Sequence, residues 1–314
     1  MTKQSSAKQS KAKRPAAKQY PGASLASWIG GARLRTLPLA VSPVIVGAAL
    51  AGMVRSYSPL LTALALAVSV LLQIGVNYSN DYSDGVRGTD DYRVGPARLT
   101  GSGLVNPKHV LAAALSCFGL VALAGLAAVL LSQQWWFLAL GLVAIVAAWF
   151  YTGGKRPYGY NALGEVMVFI FFGPVATCGT YWLQSQIPLQ EMWWFGSAIG
   201  LFAVAVLIAN NIRDIENDKL AGKKTLSVLI GARASKVLFT IAMLVPFAFA
   251  VLHLPFYLLM VLVLLDLLIV LLTILIIWTA KTARELILVL QLSSAASLVY
   301  AILLAFALVG VVWA

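Results

Sequence analysis

The sequence predicts an all-α, polytopic membrane protein. Three observations carry that prediction. Hydrophobic residues make up 61% of the 314 residues and charged residues 11%, about half the charged fraction of a soluble domain. Apolar runs long enough to cross a bilayer recur from residue 36 to the end, and a chain inside lipid must satisfy its backbone through helices or a closed barrel. Lys and Arg gather on alternate connections between those runs, as the positive-inside rule requires of a multi-span protein.

Residues 1–27 read as a basic, disordered cytoplasmic tail and residues 28–314 as one transmembrane domain. Lys3, Lys8, Lys11, Lys13, Arg14 and Lys18 face no acid within the first 20 residues. A segment rich in Lys, Ala, Gln and Ser buries too little apolar surface to fold. No apolar core follows within the first 30 residues, so the tail is not read as a signal peptide. Its charge suits contact with anionic lipid.

Nine spans follow, near residues 36–54, 60–80, 109–132, 135–151, 163–183, 192–212, 236–252, 256–279 and 286–312. Trp135, Trp136, Trp193, Trp194 and Trp313 sit at predicted span ends, where aromatic belts anchor helices. With the N-terminus in the cytoplasm, all 23 cations except Arg55 fall on the inner side. The net charge of +12 is thereby a topology signal, and no nucleic-acid partner is expected. The expected location is the plasma membrane, with the C-terminus outside and outer loops too short for a domain. Cys117 and Cys178 lie inside apolar runs and offer neither a disulfide framework nor a CxxC motif.

Two polar stretches interrupt this pattern: Asn77-Tyr-Ser-Asn80-Asp81-Tyr-Ser-Asp84 and Asn210-Asn211-Ile-Arg213-Asp214-Ile-Glu216-Asn217-Asp218. Each closes a span that runs from outside to inside. The same interval separates Asn77 from Asn210 and Asp81 from Asp214, which suggests two pseudo-repeated four-helix halves plus one helix.

On a helix, residues four apart share a face. Asn77 is thus aligned with Asp81, and Asn210 with Asp214 and Asp218. Clustered carboxylates repel unless a cation lies between them. Hard oxygen ligands at helix C-termini suit Mg²⁺, which keeps one or two carboxylates and takes its remaining ligands from water and phosphate. Arg87, Arg93, Arg98, Lys155, Arg156, Arg213, Lys223 and Lys224 lie beside the acids. They would neutralise a diphosphate whose charge grows as it leaves. Glu165 opens the fifth span and Asp266 sits inside the eighth; a lone intramembrane acid is costly. The chain has no Walker A loop, dinucleotide fingerprint or zinc-like histidine set. From the residues alone, the reading reaches Mg²⁺-dependent diphosphate chemistry at the cytoplasmic face. A transporter of divalent cations or phosphorylated solutes is the alternative, but it would place charge near the midplane with access from both sides.

Asn80-Asp81-x-x-Asp84 and Asp214-x-x-x-Asp218 resemble the paired aspartate motifs of the UbiA superfamily of intramembrane prenyltransferases. Within it, the naphthoate-prenylating branch is the nearer match. The stretches that carry it are 32–38, 73–90, 95–100, Tyr151-Thr-Gly-Gly, Pro157-Tyr-Gly-Tyr160 and 211–226. The resemblance covers about residues 28–312. It departs from the wider pattern Asn-Asp-x-x-Asp-x-x-x-Asp at the last position, which is Gly88; Asp90 is the nearest substitute.

The resemblance implies a polyprenyl diphosphate donor, Mg²⁺, and an aromatic acceptor, 1,4-dihydroxy-2-naphthoate, joined with loss of CO2 and diphosphate to give demethylmenaquinol. A sister enzyme with another aromatic acceptor is the alternative within the family. It implies Asp81, Asp84, Asp214 and Asp218 as catalytic metal ligands, assisted by Asn77, Asn80, Asp90 and Asn210. Arg87, Lys155, Arg156, Arg213 and Lys223 would bind diphosphate. Arg33, Arg35 and Tyr151 would meet the acceptor. Phe169–Phe172 could shield an allylic cation.

Overall fold

The computed structural model describes residues 20–89 and 98–310. Ten helices follow one another: α1 Leu25–Ala32, α2 Pro38–Met53, α3 Pro59–Arg87, α4 Pro107–Ser132, α5 Trp136–Phe150, α6 Gly164–Trp182, α7 Glu191–Leu220, α8 Leu226–His253, α9 Leu258–Thr279 and α10 Ala283–Gly310. All nine expected spans are present as helices. Seven meet both the length and the apolarity needed to cross a membrane; α2 joins them when taken with the bent α1 segment, and α5 has only 15 residues. The count of nine is therefore approximate.

The boundaries follow local chemistry. Ser58 caps α3 by accepting from the Leu61 N–H, with Pro59 in the first turn. Asn106 does the same for α4 through the Lys108 N–H, ahead of Pro107. Proline suits this position because its missing N–H would be unpaired there anyway. α1 begins at Leu25, and the Gly22 N–H donates to the Leu104 carbonyl, so part of the stretch expected as tail is helical and packed on the fold. The tail residues before Tyr20 lie outside the described residues, as do Asp90, Arg93 and Trp313.

α3 and α7 overrun their predicted ends at residues 80 and 212. At 29 and 30 residues they span about 44 Å, against about 30 Å of hydrocarbon. Their last turns, which carry the acids, project beyond the apolar layer. α8 starts earlier than expected: a short turn, residues 226–230, precedes the main helix and is set off from it by a kink at Gly231, φ 81°.

The two halves repeat in connectivity and differ in burial. α3 packs on α4 as α7 packs on α8, and α2 meets α3 as α6 meets α7. However, 72% of the apolar window of α7 is buried, against 17% for α3. α7 is thus the central helix, enclosed by α2, α6, α8 and α10. α6 reaches it through glycine: a Cβ on Gly173 would lie 2.6 Å from the Gly196 carbonyl oxygen. Gly173 belongs to a π-turn, Phe171–Val175, that contains Pro174. Such turns alter which side chains a helix presents. α3 and α7 both border a cavity. Asp266 is buried in α9, and neither of its carboxyl oxygens has a hydrogen-bond partner among the described residues.

Candidate active site

One cavity of about 370 Å³ runs between α3, α4, α5, α6 and α7. Along its length the walls are apolar, with Leu72, Val129, Phe137, Ala144 and Val175 among them. At the polar end they change to Arg33, Asn80, Asp84, Arg98, Asp214, Asp218 and Lys223.

On α3 the cavity stripe is Gln73, Asn77, Asn80 and Asp84, a mixed i+3/i+4 spacing that follows one helix face. Asp81 is off that stripe. Its two oxygens accept from the backbone N–H groups of Leu99 (2.9 Å) and Thr100 (2.8 Å), and it is buried. The expectation that Asp81 joins Asn77 as a metal-facing pair is corrected here: Asn77 lines the cavity, and both oxygens of Asp81 are taken up by the loop backbone. Asp81 clamps the loop that delivers Arg98. Asn77 lines the cavity while its amide donates to the Ala32 carbonyl at 2.9 Å, fixing the end of α1. The Asn80 oxygen accepts from Thr152 Oγ1 at 2.7 Å.

Asp84 is held from three sides. Its Oδ1 accepts from the Tyr160 hydroxyl at 2.5 Å. Its Oδ2 lies 3.1 Å from Arg98 Nη1 and 3.4 Å from Lys223 Nζ. Gly88 then ends the helix in the left-handed region, φ 74°, and its N–H caps the Asp84 and Gly85 carbonyls. An L-residue at this φ would be strained, so the helix stops where the wider superfamily pattern would carry its last Asp.

On α7 the expected stripe holds: Asn210, Asp214 and Asp218 all line the cavity. Arg213 binds Asp214 with two nitrogens, Nε at 2.8 Å and Nη2 at 2.5 Å, and its Nη2 also reaches Asn210 Oδ1 at 2.7 Å. Asn211 donates to Glu165 at 2.8 Å, giving that buried acid a structural partner. Asp218 lies 3.5 Å from Thr225 Oγ1.

The expected diphosphate cations divide. Lys223 lines the cavity. Arg213 is turned onto Asp214. Arg87 donates to the carbonyls of Thr152 and Gly154, tying α3 to the loop after α5. Lys155 and Arg156 are exposed on that loop and do not reach the cavity. Arg98, one of the cations that lie beside the acids in the sequence, lines the cavity. Arg33 and Tyr151 line the cavity, whereas Arg35 is exposed away from it. Phe171 and Phe172 line it; Phe169 packs into the core instead.

Tyr160 was missed by sequence reasoning. It belongs to a short turn, Tyr158–Tyr160, held by the Gly159 N–H on the Tyr151 carbonyl at 3.0 Å. Burial, with the Asp84 charge beside it, pushes the Tyr160 phenol up, so it stays a donor. Burial raises Tyr158 to about 12.

Among the described residues, no three acids, histidines or cysteines converge closely enough to hold a metal ion unaided. The oxygens present still fit Mg²⁺. They stand on two facing helices, each carboxylate has a cationic or hydroxyl partner beside it, and Mg²⁺ typically completes its shell with water and substrate phosphate.

The family model for UbiA prenyltransferases matches residues 40–293. The chain belongs to the UbiA prenyltransferase family. It is 49% identical over 221 residues to a 1,4-dihydroxy-2-naphthoate octaprenyltransferase of Mycobacterium tuberculosis, covering 69% of this chain and 74% of that one. It is 41% identical over 211 residues to the Escherichia coli protein of the same name, covering 65% and 68%. Among solved structures, a UbiA homolog from Archaeoglobus fulgidus bound to DMAPP and Mg²⁺ superposes with TM-score 0.64 at 16% identity, over 91% of this chain and 99% of that one. A homolog from Aeropyrum pernix gives 0.65 at 16%, over 83% and 96%. The shared fold is that of a multi-pass, all-helical membrane enzyme.

Proposed function

We infer that this UbiA prenyltransferase moves a polyprenyl group from its diphosphate to 1,4-dihydroxy-2-naphthoate, releasing CO2 and diphosphate and giving demethylmenaquinol in menaquinone biosynthesis. The observation that carries the reaction class is a single cavity with two chemistries. Its charged end suits a diphosphate, and its long apolar body suits an isoprenoid tail. The acceptor follows from the names of relatives up to 49% identical.

Asp84, Asp214 and Asp218, with the amide oxygens of Asn80 and Asn210, would hold Mg²⁺, which when bound supplies positive charge to the departing diphosphate. Arg98 and Lys223 neutralise the remaining phosphate oxygens. The allylic C–O bond breaks and its electron pair leaves with diphosphate. The ring carbon bearing the carboxylate bonds to the allylic carbon. The bond to the carboxylate then breaks, CO2 departs, and its electron pair restores the aromatic ring. Arg33, which lines the cavity as Tyr151 does, takes the acceptor's carboxylate. Phe171 and Phe172 keep water from the allylic carbon. The charge asymmetry of the loops supports a cytoplasmic position for this end in the plasma membrane.

The test is transfer by purified protein given Mg²⁺, a polyprenyl diphosphate and carboxyl-labelled dihydroxynaphthoate. Equal release of diphosphate and labelled CO2 is expected. Diphosphate release with 4-hydroxybenzoate alone would move the protein to a sister activity, and none with any aromatic acceptor would refute the enzyme reading.

Gly141 supplies a separate check on the tail's path. It lines the apolar body, and a Cβ there meets nothing within 4 Å. Gly141→Phe is expected to lower kcat/KM for a long polyprenyl diphosphate about tenfold or more while sparing dimethylallyl diphosphate, since filling occupied space costs about 1–3 kcal/mol. Competition between the two donors measures it.

A further inference from the structure

We propose that Tyr160 is a positioning residue for the metal–diphosphate site: its hydroxyl fixes one oxygen of Asp84 so that the other alone meets exchangeable partners, and its ring gives Lys223 a second place to stand. The proposal rests on the diphosphate reading given above.

The partners of Asp84 are sorted by oxygen. Oδ1 has the neutral Tyr160 hydroxyl at 2.5 Å. Oδ2 has both cations, Arg98 at 3.1 Å and Lys223 at 3.4 Å. A carboxylate turns about its last torsion through a broad two-fold well. A hydrogen bond to one oxygen restricts that freedom and keeps Oδ2 toward the cations. Cations are the partners that a diphosphate with its metal would compete for.

The Tyr160 ring addresses the second half of that exchange. The Lys223 ammonium is 4.6 Å from the ring centroid, inside the range of a cation–π contact. Its ion pair with Asp84, at 3.4 Å, is the longer of the two on Oδ2. Lys223 can therefore move from carboxylate to phosphate without leaving the face of the ring. Arg87, 5.5 Å from the same centroid, is tethered to the Thr152 and Gly154 carbonyls and cannot make that move.

Tyr160 is itself held from both halves of the fold. Its carbonyl accepts from the Lys224 N–H at 3.0 Å, and neighbouring Asn161 forms a β-bridge with Lys224. Its hydroxyl lies 3.4 Å from Thr89 Oγ1, just beyond α3. One residue of the α5–α6 connection thus ties the end of the first acid helix to the loop that follows the second.

Two variants separate the two roles. Tyr160→Phe keeps the ring and loses the hydroxyl; Tyr160→Leu loses both. Mn²⁺ binding is followed by electron paramagnetic resonance with an unreactive polyprenyl thiolodiphosphate present. Affinity for that analogue is followed by calorimetry, and both are normalised to the folded, monodisperse fraction. Tyr160→Phe is expected to weaken Mn²⁺ binding about tenfold and to leave the acceptor KM unchanged. Tyr160→Leu is expected to add a loss of analogue affinity of about threefold or more that Tyr160→Phe does not show. Wild-type Mn²⁺ binding in Tyr160→Phe, with binding lost in Asp84→Asn, overturns the proposal and leaves the diphosphate reading standing. Unchanged binding in Asp84→Asn as well overturns the metal assignment and the proposal together. A uniform fall in donor, metal and acceptor affinity in both variants overturns it in favour of a purely architectural role.

Discussion

Asp84→Asn is expected to lower turnover at least about 100-fold, the scale on which electrostatic stabilisation of a leaving group is lost when one well-placed charge goes. The amide keeps the shape of the carboxylate and can still accept from the Tyr160 hydroxyl. It cannot balance Arg98 and Lys223, whose side chains are only 9% and 13% exposed. Two cations then lose the carboxylate they share in a poorly solvated pocket, and breaking a buried ion pair from one side is destabilising. The variant should therefore melt earlier as well as turn over slowly. The two effects are separated by measuring initial rates per folded enzyme at a temperature where both proteins are fully folded. Full activity there would remove Asp84 from the reaction. Asp214→Asn should lose turnover to a similar extent with a smaller drop in melting temperature, because Arg213 retains Asn210 as an acceptor.

Asp81→Ala is expected to act through stability. Its carboxylate closes two backbone N–H groups, those of Leu99 and Thr100. Leu99 and Thr100 are buried, and an orphaned buried donor costs about 1–3 kcal/mol. Both are orphaned at once, and the loop that carries Arg98 loses its anchor. Thermal unfolding in detergent should show a lower midpoint, and the surviving folded protein should keep its Mg²⁺ half-saturation. A wild-type midpoint with a raised Mg²⁺ requirement would return Asp81 to the metal site. The contrast with Asp84, three residues along the same helix, is the most direct test of which oxygens face the cavity.

The two acids also mark where sequence reasoning reaches its limit. Span positions, the paired polar stretches and the Asn210–Asp214–Asp218 stripe were readable because apolar period and i+4 spacing are local properties. The orientation of α3 about its own axis is not local. The same interval aligns Asp81 with Asp214 in sequence, but Asp214 lines the cavity while Asp81 turns to the backbone of Leu99 and Thr100, so the equivalent positions point to different surroundings. Cations were harder still. Arg87, Lys155 and Arg156 lie close to the acids along the chain, yet two are solvent-exposed on a loop and the third is spent on carbonyls. Arg98 arrives from a loop whose placement depends on Asp81. Tyr160 had only one visible sign, a Pro157-Tyr-Gly-Tyr turn between two spans; its meeting with Asp84 and Lys224 is a tertiary contact that no spacing records.

The tethered cations have a consequence for biogenesis. Asp84 has Arg98 and Lys223, and Asp214 has Arg213, as counter-ions built into the chain. Mutual repulsion among the carboxylates therefore does not have to wait for a divalent ion before the helices can close. Insertion and folding can be complete before any metal is captured. Treatment with a chelator should then stop turnover yet leave the melting temperature where it was, which makes the ion a reagent that accompanies the substrate and not a rivet of the fold.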